Sequence, residues 1–285
     1  MEKGIACLGC SYTWGEGLYF YSELEDLPFK EKHGFDIQTM RSSLDAFRKK
    51  YRWPRLLANQ EDSWEYTSDI GNGGANISHY NYCIHKPLVR GDIKYSDFKY
   101  FVWQITDVVR DAPGGYDFLS TLQDEELRPL HERETKRLLH FANTVAKEWE
   151  RNGVTVLVWN WHDDFKHNDD YHKLFKNRHV PINLDGTEHF CLSEIVGNGT
   201  ERIDFNKTSS GKKGYVTFKD DISDYFSNKP TRKKITIRDD FSELGFQKND
   251  VHLNIIGNQV IADSISKKIK ELKQQGKIKI QNKLI

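Results

Sequence analysis

The chain carries no net charge: 42 Lys and Arg balance 42 Asp and Glu over 285 residues. With a pI near 7.2, no whole-molecule field draws it to nucleic acid or to an anionic membrane. It also lacks any apolar run approaching the roughly 20 residues that cross a bilayer. The first residues, MEKGIACLGC, lack the long apolar core of a secretory signal, because the short run leads straight into a glycine turn. The expectation is a cytoplasmic protein with no membrane span, a virus particle being the alternative setting. Cys7 and Cys10 form a C-x-x-C, but Cys83 and Cys191 do not make a second pair that would complete a zinc site. Four reduced thiols are expected, Cys7 as a small core residue and Cys10 in a turn. Internal repeats and low-complexity tracts are also lacking.

What the chain does have is a very polar surface, with 29% charged residues and a mean hydropathy of −0.72. Its 13% aromatic content argues against bulk disorder. The length allows a sizeable core, in one large domain or one domain with a long insertion. GIACLG reads as a short buried strand, FKYFVWQI (98–105) as a second and VTVLVWNW (154–161) as a third, continuously apolar as buried parallel strands are. WPRLLANQ (53–60) reads as a helix start with Pro54 in its first turn. From Glu134 to Asn152 a stripe of Leu138, Leu139, Ala142, Val145, Ala146 and Trp149 predicts a helix that Gly153 can end. Near the C-terminus Ile261, Ile265, Ile269 and Leu272 form another stripe, with Gly276 as its stop. Strands alternating with helices predict an α/β fold, a three-layer α/β/α sandwich around a mostly parallel sheet. Residues 163–248 are rich in Asp, Lys, Asn and Gly, with short strand candidates at GYVTF and KITIRDDF. They read as a polar insertion or lid within a single domain spanning 1–285.

Loops at the carboxyl ends of parallel strands are where sites form. Ser11 lies on the first such loop, in GCSYTWGEGL, and the glycine loop 71–74 lies on another. Far along the chain, NDVHLNIIG puts Asp250 and His252 just before the last helix. A serine hydroxyl needs a neighbouring base to become a nucleophile. Histidine suits that task, and a carboxylate can hold its tautomer and stabilise the imidazolium.

GCSYTWGEGL resembles the first signature block of the SGNH, or GDSL-type, hydrolases, with Cys10 where that family usually has Asp. NGGANIS resembles their second block, and DVHLNIIG followed by IADSI resembles their last. The likeness covers roughly residues 4–161 and 249–272, and not the insertion. A Trp-Pro before a Leu-Leu (Trp53, Pro54, Leu56, Leu57) resembles some virus-encoded members. The resemblance implies a flavodoxin-like α/β/α fold and serine-ester chemistry without a cofactor. Ser11 would be the nucleophile, His252 the base and Asp250 its orienting acid, and the N–H groups of Ser11 and Gly74 would face the oxyanion, Gly73 being the alternative to Gly74. The commoner D-x-x-H spacing would instead put Asn249 in the acid's place. The third block, G-x-N-D in the family, reads WQITDVVRD here, and its Asn position falls on Thr106, Asp107 or Val108. A carboxylate or a valine donates nothing there, so Asn76 or Thr106 is expected to complete the hole, or the hole is short of a donor. The α/β-hydrolase elbow fits less well, since G-x-S-x-G needs a glycine where Thr13 stands.

The expected activity is hydrolysis of a small acyl ester, a carbohydrate O-acyl group being the default substrate. An acyltransferase, or a catalytically degenerate SGNH-fold binding or structural module, is the alternative. His162, Asp163, His167, Asp169, Asp170 and His172 crowd one stretch. However, His167 and His172 are five apart rather than the four that stack ligands on a helix, so no metal is expected. The lysines from Lys267 to Lys283 read as the solvent face of an amphipathic helix, not as a nucleic-acid site.

Overall fold

The computed structural model describes residues 2–15, 18, 45–67, 76–106, 108–111, 124–161, 165–184, 186–192, 194, 253 and 255–276. The apolar runs form strands: β1 (Gly4–Leu8), a short β2 (Glu65–Thr67), β3 (Phe98–Ile105) and β4 (Thr155–Asn160). They make one parallel sheet in the order β2-β1-β3-β4. Every residue of β1 is buried, as expected of a strand covered on both faces.

The helices are α1 (Ser11–Trp14), α2 (Trp53–Gln60), α3 (Ile77–Tyr80), α4 (Lys86–Arg90), α5 (Asp124–Arg151), α6 (Asp169–Phe175) and α7 (Ile255–Gln274). A further helix over 45–51 precedes α2. A π-helical turn (Asn81–His85) joins α3 to α4. It lies next to Pro87, which has no N–H for the Cys83 carbonyl; the Tyr66 hydroxyl donates to that oxygen at 3.0 Å.

The chain leaves β1 toward β2 on one side and returns past β1 to β3 and β4 on the other. Parallel crossovers are almost always right-handed, so this reversal sends successive helices to opposite faces. The packing agrees. Ile5, Cys7, Tyr100, Val102, Leu157 and Trp159 point to α2 and α7, where Trp53, Leu57, Ile261, Ile265, Ile269 and Leu272 meet them. Ala6, Leu8, Phe101, Trp103, Val156 and Val158 point the other way, to Leu138, Leu139, Ala142, Val145, Ala146 and Trp149 of α5 and to Tyr80. On that second face Phe101 stacks on Trp149 with ring centroids 4.5 Å apart, and the Trp149 indole N–H donates to the Tyr80 hydroxyl at 3.2 Å. Each such side chain removed from water contributes about 1.5–3 kcal/mol.

α5 begins at Asp124, earlier than the stripe from Glu134 predicts. Pro129 sits inside it and removes one bond to the carbonyl four residues back. Leu130 and Glu134 are buried, with Arg133 and Arg137 on the Glu134 carboxylate at 3.2 and 3.1 Å. Gly153 and Gly276 both adopt positive φ after their helices, as left-handed C-terminal residues do.

Two buried polar contacts tie distant parts of the chain to α2. Asn258 on α7 accepts the Trp53 N–H at 2.9 Å and donates to the Leu253 carbonyl at 3.2 Å. Glu61, just past α2, accepts from Ser266 at 3.0 Å and Lys273 at 2.9 Å.

The first part of the polar stretch contributes to both cores. Phe165, Tyr171 and Phe175 join the α5 face, and Val180, Ile182 and Leu192 join the α7 face. Residues 182–184 and 187–189 form a small antiparallel pair, β5 (Ile182–Leu184) and β6 (Thr187–His189). The strand candidates GYVTF and KITIRDDF lie outside the described residues.

Tyr171 also heads a buried polar chain. Asn160, at the end of β4, donates to the Tyr171 hydroxyl at 2.7 Å, and that hydroxyl meets His179 Nδ1 at 2.8 Å. Burial, with Lys268 and His172 nearby and Glu194 opposing, lowers the His179 pKa to about 4. A depressed histidine favours the folded state while it stays neutral, so its contribution is complete above its ordinary pKa near 6.5. That contribution, about 3 kcal/mol, should be lost as pH falls from about 6.5 to 4. Urea unfolding of wild type and His179→Phe, compared at pH 7 and pH 4.5, should show the shallower decline in the variant. Equal declines would assign the acid sensitivity elsewhere.

Candidate active site

The sheet reverses direction between β1 and β3, and ligands of doubly wound sheets bind outside the carboxyl ends of strands at such a reversal. The carboxyl end of β1 is Leu8, followed by Gly9, Cys10 and then Ser11, the first residue of α1. The Cys10 carbonyl accepts the Thr13 and Trp14 N–H groups at 2.9 and 3.1 Å, closing the turn. Ser11 therefore stands where a short helix begins.

The turn is bound to β3. The side chain of Gln104, fully buried on the strand, accepts from the Thr13 hydroxyl at 2.6 Å and from the Cys10 N–H at 3.3 Å. Its amide group donates to Cys10 Sγ at 3.3 Å. This contact explains Gly9 better than backbone freedom does. A Cβ there would lie 2.1 Å from Thr13 Oγ1 and 2.4 Å from Gln104 Oε1. Gly15 does use positive φ (84°), and Arg52 and Arg48 press against it. Gly9→Ala should break the Thr13–Gln104 contact and cost about 1–3 kcal/mol. Chemical unfolding will measure this, and a loss below 0.5 kcal/mol (about the noise of surface substitutions) would refute the crowding.

The second and third blocks meet two residues beyond Gln104. Asn76 Oδ1 accepts the Thr106 N–H at 2.9 Å, and the Asn76 amide donates to the Thr106 carbonyl at 3.4 Å. Both residues are buried. The Asp111 carboxylate takes the N–H groups of Asn76, Ile77 and Ser78 at 2.8, 2.9 and 3.0 Å, and the Ser78 hydroxyl at 3.0 Å. A carboxylate at a helix start satisfies orphan donors and suits the helix dipole. It also commits those three N–H groups. Of the three third-block positions, Val108 is packed in the core, Thr106 is the partner of Asn76 and Asp107 lies outside the described residues. His79, one turn further, is held below the usual histidine range by burial, with Asp111 opposing.

Gly73, Gly74, Asn249, Asp250 and His252 also lie outside the described residues. Of their sequence neighbours, Leu253 is described. Leu253, next to His252, is buried in the same cluster as Cys10, next to Ser11. Behind the first turn, the Arg52 guanidinium bonds Glu65 at 3.0 Å with both side chains buried, and Arg55 approaches the same oxygen at 3.2 Å. Arg48 lies 3.7 Å over the Trp14 ring and bonds its carbonyl. Cys7 is an unsuitable nucleophile, since burial and Glu65 push its thiol pKa well up.

In the stretch that suggested a metal, Asn168 caps α6 by accepting the Tyr171 N–H at 2.9 Å, with Asp169 and Asp170 in the first turn. His172 Nε2 bonds the Lys166 carbonyl at 2.6 Å. Among the described residues no group of three His, Cys, Asp or Glu side chains is arranged to hold a metal ion. None of the described helices is long and apolar enough to cross a membrane. Lys267 pairs with Glu188 at 2.9 Å.

Gln104, Thr13 and Asp111 were missed in the sequence. A glutamine inside FVWQI, where every neighbour is apolar, was the available signal, since a buried polar side chain must find a partner. No protein-family model, curated protein or solved structure matches the chain.

Proposed function

We propose that the chain is a serine esterase or deacylase of the SGNH type. One observation carries the reading: Cys10 and Leu253, the immediate neighbours of Ser11 and His252, belong to one buried cluster at opposite ends of the sequence. The strand order, the start of the flavodoxin-like 2-1-3-4-5 pattern, supports it, as does the position of Ser11 at the reversal.

In this mechanism His252 takes the Ser11 proton as Oγ attacks the ester carbonyl. The tetrahedral oxyanion receives hydrogen bonds from the Ser11 and Gly74 N–H groups. His252 then protonates the leaving alcohol, and water, activated by the same histidine, releases the acid from the acyl-serine. Asp250 holds the imidazole tautomer and stabilises the imidazolium. No cofactor is required. A polar, aromatic chain favours a small acyl group on a carbohydrate over a long lipid.

Asn76 is the candidate third donor and the clamp between the two loops. Asn76→Ala should lower kcat about 10²-fold with little change in KM. Steady-state kinetics on a short activated ester will decide, and an unchanged kcat would remove Asn76 from the hole.

A degenerate binding module is the second reading. The absent third-block Asn and the commitment of three loop N–H groups to Asp111 favour it. A fluorophosphonate probe separates the two: labelling of wild type at Ser11, located by mass spectrometry, supports the esterase, and no labelling of folded protein supports the module.

A further inference from the structure

We infer that Gln104 is a positioning residue that sets the conformation of the turn carrying Ser11, and that the end of β3 thereby holds this turn and Asn76, at the start of α3, at a fixed spacing. The inference rests on the hydrolase reading for its catalytic consequence, but not for its geometry. Gln104 is fully buried. It sits on the strand across the sheet reversal from β1 and makes three contacts to two residues of the turn: the Thr13 hydroxyl at 2.6 Å, the Cys10 N–H at 3.3 Å and Cys10 Sγ at 3.3 Å.

The two groups of the carboxamide are used differently. Oε1 accepts twice and Nε2 donates to sulfur, so neither a carboxylate nor an apolar side chain reproduces the set. Gly9 provides the close approach, because any Cβ would occupy the place of these atoms. Two residues on, the backbone of Thr106 exchanges hydrogen bonds with the side chain of Asn76. The carboxyl end of β3 therefore holds the Ser11 turn through Gln104, and Thr106, just beyond the strand, holds Asn76 at the start of α3. A nucleophile and an oxyanion donor on two separate loops need such a common reference, since a displacement of about 1 Å can cost about 10²-fold in rate. Cys10, where the resembled family has an acid, is the sulfur contact of this carboxamide.

The test uses the full-length chain with Thr13→Val, which removes the hydroxyl at nearly constant shape, and Gln104→Leu, with Thr13→Ser as the conservative control. Two readouts are taken on folded protein: kcat and KM for a short activated ester, and the rate of Cys10 alkylation by iodoacetamide located by mass spectrometry. The inference expects Thr13→Val to lower kcat about 10²-fold with KM nearly unchanged, and Thr13→Ser to restore most of the loss. Cys10, buried in wild type, should be alkylated faster in both Thr13→Val and Gln104→Leu. Unchanged kcat in Thr13→Val with Ser11-dependent turnover in wild type would overturn the positioning role and leave the hydrolase reading standing. If wild type is inert toward esters and fluorophosphonate, the hydrolase reading fails and alkylation alone decides the geometry. Faster Cys10 alkylation then supports the turn-setting role of Gln104, and an unchanged rate overturns it. Should Gln104→Leu not fold, Thr13→Val carries both readouts.

Discussion

Ser11→Ala is expected to abolish hydrolysis of a short activated ester, with a fall in kcat of about 10⁴–10⁶. The substitution removes the only atom that can form the acyl-enzyme in the proposed mechanism. It should leave the turn intact, because the described bonds that close the turn come from the Cys10 carbonyl and from Gln104. The melting temperature should therefore stay near that of wild type while activity and fluorophosphonate labelling disappear. Equal turnover by wild type and variant, each purified from contaminating esterases, would end the hydrolase proposal. Loss of activity with a collapsed melting transition would show that residue 11 acts structurally.

Asp250→Asn should have the second largest effect, a fall in kcat of about 10⁴, the scale seen when a triad acid becomes an amide. Only a carboxylate can both fix the imidazole tautomer and offset the positive charge that develops as His252 accepts the serine proton. An amide at position 250 presents a donor where an acceptor is needed. Asn249 is the competing partner, because the D-x-x-H spacing falls on it. Asn249→Ala should then cost far less than Asp250→Asn, each measured as kcat on the same ester. The reverse order would establish the longer spacing and an amide as the orienting group, which predicts a weaker base and a slower enzyme.

β1, β3 and β4 were legible because each is a short run with almost no polar residue, and only a strand covered on both faces accommodates that. α2 was legible from Pro54 following Trp53, and α7 from Ile261, Ile265, Ile269 and Leu272, all buried against the sheet. The early start of α5 was not legible. Residues 124–133 are mostly charged, with Pro129 among them, and present no apolar period. The packing of residues 165–192 into both faces was hidden by composition: Tyr171, Phe175, Val180 and Ile182 stand among Asp, Lys and Asn, and average out as polar.

At the site the division is similar. The sequence by itself determined that a serine follows the first strand through a glycine, that a glycine-rich stretch stands at 71–74, and that an Asp and a His precede the last helical stripe. These are local facts, readable from residue types in order. Only the tertiary structure decided why Gly9 must be a glycine, what Cys10 touches and what Asn76 does. Each of those answers depends on a partner between 30 and 95 residues away, at Gln104 or Thr106. Hydrogen bonds across a sheet reversal leave no periodicity in the chain, because the bonded residues are brought together by strand order and not by spacing.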